Sequence, residues 1–240
     1  MYGKTLRLYV YPTKIEVLLL IYKNDLTSLN SIKVSIILIT LFCLNYRMPD
    51  LLYKNISNYV NLSQEDFNQF TKPFEYRKFK KKEIVLKEGD YCNFEGFVLT
   101  GCFKVYYLNE NGLEQTLYFA VEGWWITDID SLINTVPSIL NIEALEDSEV
   151  LMISRKDKEN LYKTMPQIEK LFRIMNQKSS VALQRRILSL TGKTADKRYL
   201  EFLEKYPGLE QRITQQQVAS YLGITHEFLS KIRRKMSLEK

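Results

Sequence analysis

Histidine is almost missing from this chain of 240 residues, where His226 stands alone. One imidazole cannot build a histidine-rich metal cage, and it excludes a Ser-His or Cys-His catalytic centre anywhere else in the chain. Cysteine is scarce too. Cys43, Cys92 and Cys102 cannot supply the four thiolates of an iron–sulfur cluster or a disulfide framework, so reduced thiols in a cytoplasmic protein are the simplest reading. Nine glycines and six prolines are too few for a collagen-like repeat. With 45% hydrophobic and 26% charged residues, the composition is that of an ordinary globular protein and excludes a disordered one. No catalytic residue, metal or cofactor is expected.

What the chain does have is an uneven charge. Residues 1–47 carry a net +4, residues 48–183 carry −4, and residues 184–240 carry +6. A basic C-terminal fifth behind an acidic middle suits a polyanionic partner, although a solvated charged surface would give the same count. The length suggests one large domain or two small ones.

The first 47 residues hold two apolar runs, Ile15–Tyr22 and Val34–Leu44, around a polar loop. The second run has eleven residues, far short of the roughly 20 needed to span a bilayer as a helix. It also sits too far along the chain for a signal peptide. Three readings stand: an accessory helix or strand, an arm that touches a membrane, or translated upstream sequence ahead of a start at Met48. We favour the third, because an ordinary domain opening begins at Met48.

From Leu51 a helical pattern leads to Ser63, an N-cap with Asp66 three residues on. A β-rich stretch follows. Tyr76–Leu86 reads as a strand with a solvated Lys80–Glu83 face, and Phe94–Tyr107 as another, with Gly96 and Gly101 as bends or bulges. Asn109-Glu110-Asn111-Gly112 is a hairpin turn returning into Gln115–Phe119. A short helix over Asp128–Ile133 precedes a strand pair, Ile139–Leu145 and Val150–Ile153. Short strands with turns every 8–12 residues predict an antiparallel barrel or roll.

Pro166 marks a change of period. Ile168, Leu171, Phe172, Met175, Ser179, Ala182 and Leu183 recur at three- and four-residue steps, which predicts an amphipathic helix of about five turns. Pairing with its copy in a second subunit is the natural use of such a helix, and packing on its own domain is the plainer one.

Thr194 opens a further helix that ends at Tyr206-Pro207-Gly208. Thr214 then caps a helix whose inward positions are Val218, Ala219 and Leu222. Gly223 can take the left-handed conformation that ends a helix tightly. Thr225 can cap the next helix, where Leu229, Ile232 and Met236 share one face. At about 100° per residue, His226, Glu227, Ser230, Lys231 and Arg234 form a polar stripe on the other side. Two helices joined by a short glycine turn make a helix-turn-helix, whose second helix would enter the DNA major groove. Glu227 can accept from the cytosine amino group, Lys231 can donate to guanine, and Ser230 can go either way. Arg233, Arg234 and Lys235 suit phosphates, which fix register. The candidate DNA-contacting set is Thr214, Gln215, Gln216, Thr225, His226, Glu227, Ser230, Lys231, Arg233 and Arg234.

Residues 48–240 resemble a regulator of the Crp/Fnr superfamily. The resemblance rests on Gln216–Thr225, on the reading stretch Glu227-Phe228-Leu229-Ser230-Lys231, and on Glu88-Gly89-Asp90, Gly101 and Ala144–Asp147 in the roll. It implies an α+β protein: an antiparallel β-roll of the cyclic-nucleotide-binding jelly-roll type over 48–166, a dimerisation helix over 167–188, and a winged helix-turn-helix domain over 189–240. The family's E-x-x-S-R motif maps onto Glu227, Ser230 and Lys231, with lysine in place of arginine, so the planar fork that grips guanine is absent. It further implies a homodimer on double-stranded DNA, working with RNA polymerase. Cyclic-nucleotide binders hold the ribose with a Gly-Glu pair and the cyclic phosphate with an Arg-Ser or Arg-Thr pair. Here Ser138 stands at the arginine position and Ile139 at the hydroxyl position, so no cyclic-AMP response is expected. Trp124, Trp125, Asp128 and Ser138 mark the candidate effector pocket, and the effector itself is unidentified. Two other readings compete: a small-molecule-binding or cupin-like roll whose C-terminal helices only mediate association, and a regulator tethered to a membrane through residues 1–47.

Overall fold

The computed structural model describes residues 50–238. The apolar runs Ile15–Tyr22 and Val34–Leu44, and the proposed start at Met48, lie outside the described residues. Helix α1 (residues 50–57) and α2 (Gln64–Thr71) come first, α2 capped by the Ser63 hydroxyl, which accepts from the Asp66 N–H. Eight strands follow. They are β1 (Glu75–Phe79), β2 (Ile84–Leu86), β3 (Phe94–Thr100), β4 (Phe103–Leu108), β5 (Glu114–Ala120), β6 (Trp125–Ile126), β7 (Asn141–Ala144) and β8 (Ser148–Ser154). Helix α3 (Ile129–Asn134) stands between β6 and β7.

The strands form two four-stranded antiparallel sheets, ordered β1-β8-β3-β6 and β2-β7-β4-β5. Val98, Phe103, Val105, Ile126, Ile142 and Val150 fill the space between them. Two stretches expected as single strands are each divided between the sheets. Tyr76–Leu86 breaks at residues 80–83, where Lys82 adopts φ 71°, and yields β1 in one sheet and β2 in the other. Phe94–Tyr107 breaks at Gly101, φ 95°, into β3 and β4. A left-handed backbone is what turns the chain across the roll, and glycine adopts it without steric penalty. At Gly101 there is a second reason for glycine, because an added Cβ would sit 2.1 Å from the Ser148 hydroxyl oxygen.

After α4 (Arg155–Thr164), helix α5 runs from Pro166 to Gly192, 27 residues. It is longer than the expected five turns. Ile168, Leu171 and Phe172 are buried at its start. Its last turns leave Val181, Leu183, Ile187 and Leu188 between 44% and 68% exposed. The predicted apolar stripe therefore divides: its N-terminal half packs on its own chain and its C-terminal half stands bare. Among the described residues no helix is long and apolar enough to cross a membrane.

Helix α6 (Ala195–Lys205) begins at Thr194, whose hydroxyl makes no cap hydrogen bond. Helices α7 (Gln215–Leu222) and α8 (His226–Leu238) complete the described chain, and no strand follows α8 among the described residues. The C-terminal helices and the roll share one core, in which Phe119 of β5 meets the rings of Phe202, Tyr206 and Tyr221 at 5.7–6.3 Å. Arg212 fastens the same junction by reaching Glu122 and Glu146 of the roll.

Candidate nucleic-acid interface

The geometry of α7 and α8 follows from four local devices. Thr214 and Gln217 form a complete capping box, each side chain taking up the other's backbone N–H, which satisfies two otherwise orphaned donors. Gly223 ends α7 at φ 67°, and its left-handed turn redirects the chain. The Thr225 hydroxyl then accepts from the Phe228 N–H at 3.2 Å, starting α8. Val218, Ala219, Leu229 and Ile232 are at most 3% exposed, and small Ala219 lets the helices cross closely.

With Leu229 and Ile232 as anchors, α8 turns His226, Glu227, Ser230, Lys231 and Arg234 to solvent, and Thr214, Gln215, Gln216 and Thr225 are exposed beside them. Arg233 is half-buried, near enough to Tyr199 for its charge to act on that phenol. Ser230 donates to the His226 carbonyl at 3.0 Å and to the Gln215 side chain at 3.4 Å, so Gln215 and Ser230 are brought together across the two helices. The backbone N–H at Glu227 itself, and then the Thr225 hydroxyl, hold the Glu227 carboxyl below the ordinary value. A carboxylate kept ionised is a pure acceptor, which suits an exocyclic amino group. Phe228 was assigned no role by its sequence position, yet its ring is 48% exposed at the edge of the stripe. An aromatic residue in a predicted amphipathic helix reads as core, so its exposure had no sequence signal.

The four residues of the candidate effector pocket are arranged differently from one another. Asp128 and Ser138 are brought together: the Ser138 hydroxyl donates to Asp128 at 2.6 Å, and both side chains are at most 3% exposed. The other Asp128 oxygen accepts from the backbone N–H groups of Asp130 and Ser131 at the start of α3. Trp124 turns the other way and packs, tilted by 33°, at 5.4 Å on Tyr206 of the C-terminal helices. Trp125 packs on Phe97 and Phe172 and donates its indole N–H to Asn55.

Residues 76–165 match the family model of the cyclic nucleotide-binding domain. The chain is 27% identical over 184 residues to the regulatory protein HlyX of Actinobacillus pleuropneumoniae, covering 71% of this chain and 75% of that one. Among solved structures, FixK2 of Bradyrhizobium japonicum superposes with a TM-score of 0.61 at 20% identity, over 69% of this chain and 85% of that one. A regulator assigned to the Crp/Fnr family from Eubacterium rectale gives a TM-score of 0.58 at 21% identity, over 74% and 85%. The two structural likenesses show a shared fold.

Proposed function

The chain belongs to the Crp/Fnr superfamily, and from that premise we propose that it is a dimeric, sequence-specific DNA-binding transcription regulator, without catalytic activity, acting in the cytoplasm. The observation that carries this reading is α8: a helix held by Leu229 and Ile232 with Glu227, Ser230 and Lys231 exposed along its outer side. Glu227 accepts from cytosine and Lys231 donates to guanine. Arg234, with Thr214, Gln215 and Gln216 at the start of α7, meets backbone phosphates and sets register. The exposed ring of Phe228 suits a thymine methyl.

Dimerisation falls to the bare end of α5. Leu183 and Ile187 lie one turn apart, 51% and 60% exposed, and large apolar side chains left in water at helical spacing favour a second helix. Two copies of α8 related by a two-fold axis read half-sites about 34 Å apart, so the target is an inverted repeat. RNA polymerase is the downstream partner in this reading.

Cyclic AMP is not the effector. A cyclic phosphate at the Asp128–Ser138 position would meet a buried carboxylate and no guanidinium, losing the charge-assisted bonds that compensate its desolvation. Selection of bound duplexes from a randomised pool, followed by gel shifts, tests the main reading. An inverted repeat should emerge, and recovery of no palindromic motif would overturn it.

A further inference from the structure

A groove of about 810 Å3 runs between the last turns of α5 and the C-terminal helices. Six cationic side chains line it, Lys178, Arg185, Arg186, Lys193, Arg198 and Lys205, against the single carboxylate of Glu201. Glu201 is already engaged by Lys193 and by the Ser189 hydroxyl. Arg198 is turned onto the carbonyls of Lys193 and Leu222. Among the described residues, Arg185, Arg186 and Lys205 pair with no carboxylate.

Two of these cations are crowded onto one ring. The Arg186 guanidinium carbon lies 3.8 Å from the centre of Tyr221 and the Lys205 ammonium 6.0 Å from it. Arg186 is fixed there, because it donates to the Tyr221 and Thr116 carbonyls at 2.7 and 3.1 Å. Partial removal from water, and then the charge of Arg186, push the Lys205 ammonium down to about 8. Like charges held together without a counter-charge cost free energy that a bound anion returns. Beside Arg185, on the same face of α5, Val181 and Leu188 add bare apolar surface to the lining of the groove. Its volume falls within the roughly 300–1,000 Å3 of small-molecule sites.

We propose that this groove binds a small organic polyanion of the nucleoside polyphosphate class, its phosphates on Arg185, Arg186 and Lys205 and its flat body against Val181 and Leu188. Two guanidiniums and an ammonium match the several oxygens of adjacent phosphates. The site is separate from the DNA-reading stripe, since Glu227, Lys231 and Arg234 take no part in its lining. Arg185 also lies two positions from both Leu183 and Ile187, roughly 160° round the helix. A second subunit seated on those two residues therefore leaves Arg185 exposed.

Calorimetric titration and thermal unfolding of the full chain, with ATP free of magnesium, pyrophosphate, adenosine or sulfate at matched ionic strength, test the proposal. ATP should bind saturably and, at about a hundredfold excess over its Kd, raise the unfolding midpoint by at least about 3 °C. Pyrophosphate should bind more weakly and adenosine not at all. Arg185→Ala, at an exposed position, and Lys205→Met should each weaken ATP binding about tenfold, as expected for loss of a charge-assisted contact. Lys205→Arg should retain it, and the Lys231→Ala/Arg234→Ala double variant should bind ATP like the parent. The proposal is overturned by the absence of saturable binding, by an equal rise with sulfate, by insensitivity to Arg185→Ala and Lys205→Met, or by loss of binding in the Lys231/Arg234 variant. The last result would put the anion on the DNA-reading face. No arm of the experiment uses DNA, so its outcome is distinct from that of the regulator reading.

Discussion

Ser138 and Asp128 face each other across 2.6 Å inside the roll, ten residues apart in sequence, with the serine hydroxyl donating to the carboxylate. Their neighbours close the same network. Ser131 donates to the Val136 carbonyl and accepts from the Cys92 N–H, and Ser138 exchanges backbone hydrogen bonds with Gly89 and Asp90. Each polar group there is satisfied within the chain. Ser138→Ala should therefore destabilise the fold by roughly 1–3 kcal/mol, since it leaves a buried acceptor short of a partner. Urea unfolding measures this, and calorimetry of the parent protein with cyclic AMP should show no saturable heat.

Gly101 and Gly89 separate backbone strain from collision. Both have positive φ, 95° and 91°. A Cβ at Gly101 meets Ser148 at 2.1–2.8 Å, including its backbone Cα, whereas one at Gly89 meets nothing within 4 Å. Gly89→Ala carries only the left-handed strain, about 1 kcal/mol. Gly101→Ala adds displacement of the β7–β8 turn and should cost at least about 2 kcal/mol more. Equal losses in the two variants, read from urea midpoints, would refute the steric account.

The helix-turn-helix was legible because its determinants are local. The capping box at Thr214, the left-handed Gly223, the Thr225 cap and the buried Leu229 and Ile232 all fall within one short stretch of sequence. The roll was legible as a type through its turns, but not the assignment of strands to sheets. Tyr76–Leu86 keeps strand-like residues across a break that only tertiary packing imposes at Lys82. Less still could be read of the contacts between roll and C-terminal helices. Phe119 with Tyr206, Ser220 with the Glu114 carbonyl at 2.7 Å and Arg186 with the Thr116 carbonyl are separated by 70 or more residues and follow no period. The basic groove was illegible for the same reason: its cations come from α5, α6 and the turn between them and look, in sequence, like solvated charges.

Arg212 makes the junction sensitive to acid. Its guanidinium donates to Glu122 at 2.8 and 3.0 Å, and Glu122 also accepts from the Gly101 N–H at 2.9 Å. Partial burial alone would raise the Glu122 carboxyl, but the bonds from Arg212 and Gly101 outweigh it and hold the group below its ordinary 4.5. A depressed folded value means stability that is fully present above about pH 4.5 and lost as pH falls through the folded value. Arg212→Gln should flatten the acid limb of the stability curve, with a loss at neutral pH on the order of 1 kcal/mol because the pair is partly exposed and screened by water. Parallel acid limbs in parent and variant would show that the ion pair does not contribute.

Ile187→Lys places a charge in the proposed subunit seam while leaving the core untouched, since the position is 60% exposed. Sedimentation should show a dimer for the parent and a monomer for the variant, with an unchanged unfolding midpoint at dilution below the dissociation constant of the dimer. Because both half-sites must be engaged together, the monomer should bind an inverted repeat at least about a hundredfold more weakly.

Lys231 and Arg234 lie on the same side of α8 but should fail in different ways. Lys231 sits one turn from Glu227 in the middle of the exposed stripe, where in the proposed complex a side chain would reach base edges. Lys231→Ala removes a donor to guanine and should cost roughly 1–3 kcal/mol on the preferred duplex, and little on a duplex altered at that base pair. Arg234 stands almost another turn along, where in the proposed complex the helix would leave the groove floor and meet the strand backbone. Arg234→Ala should weaken all duplexes alike and reduce the slope of log affinity against log salt by about 0.9 for each subunit engaged, one phosphate contact fewer. Fluorescence anisotropy on the selected repeat and its single-base variants, at several salt concentrations, distinguishes the two. A salt slope altered by Lys231→Ala and not by Arg234→Ala would exchange their roles and rotate the reading helix in the groove.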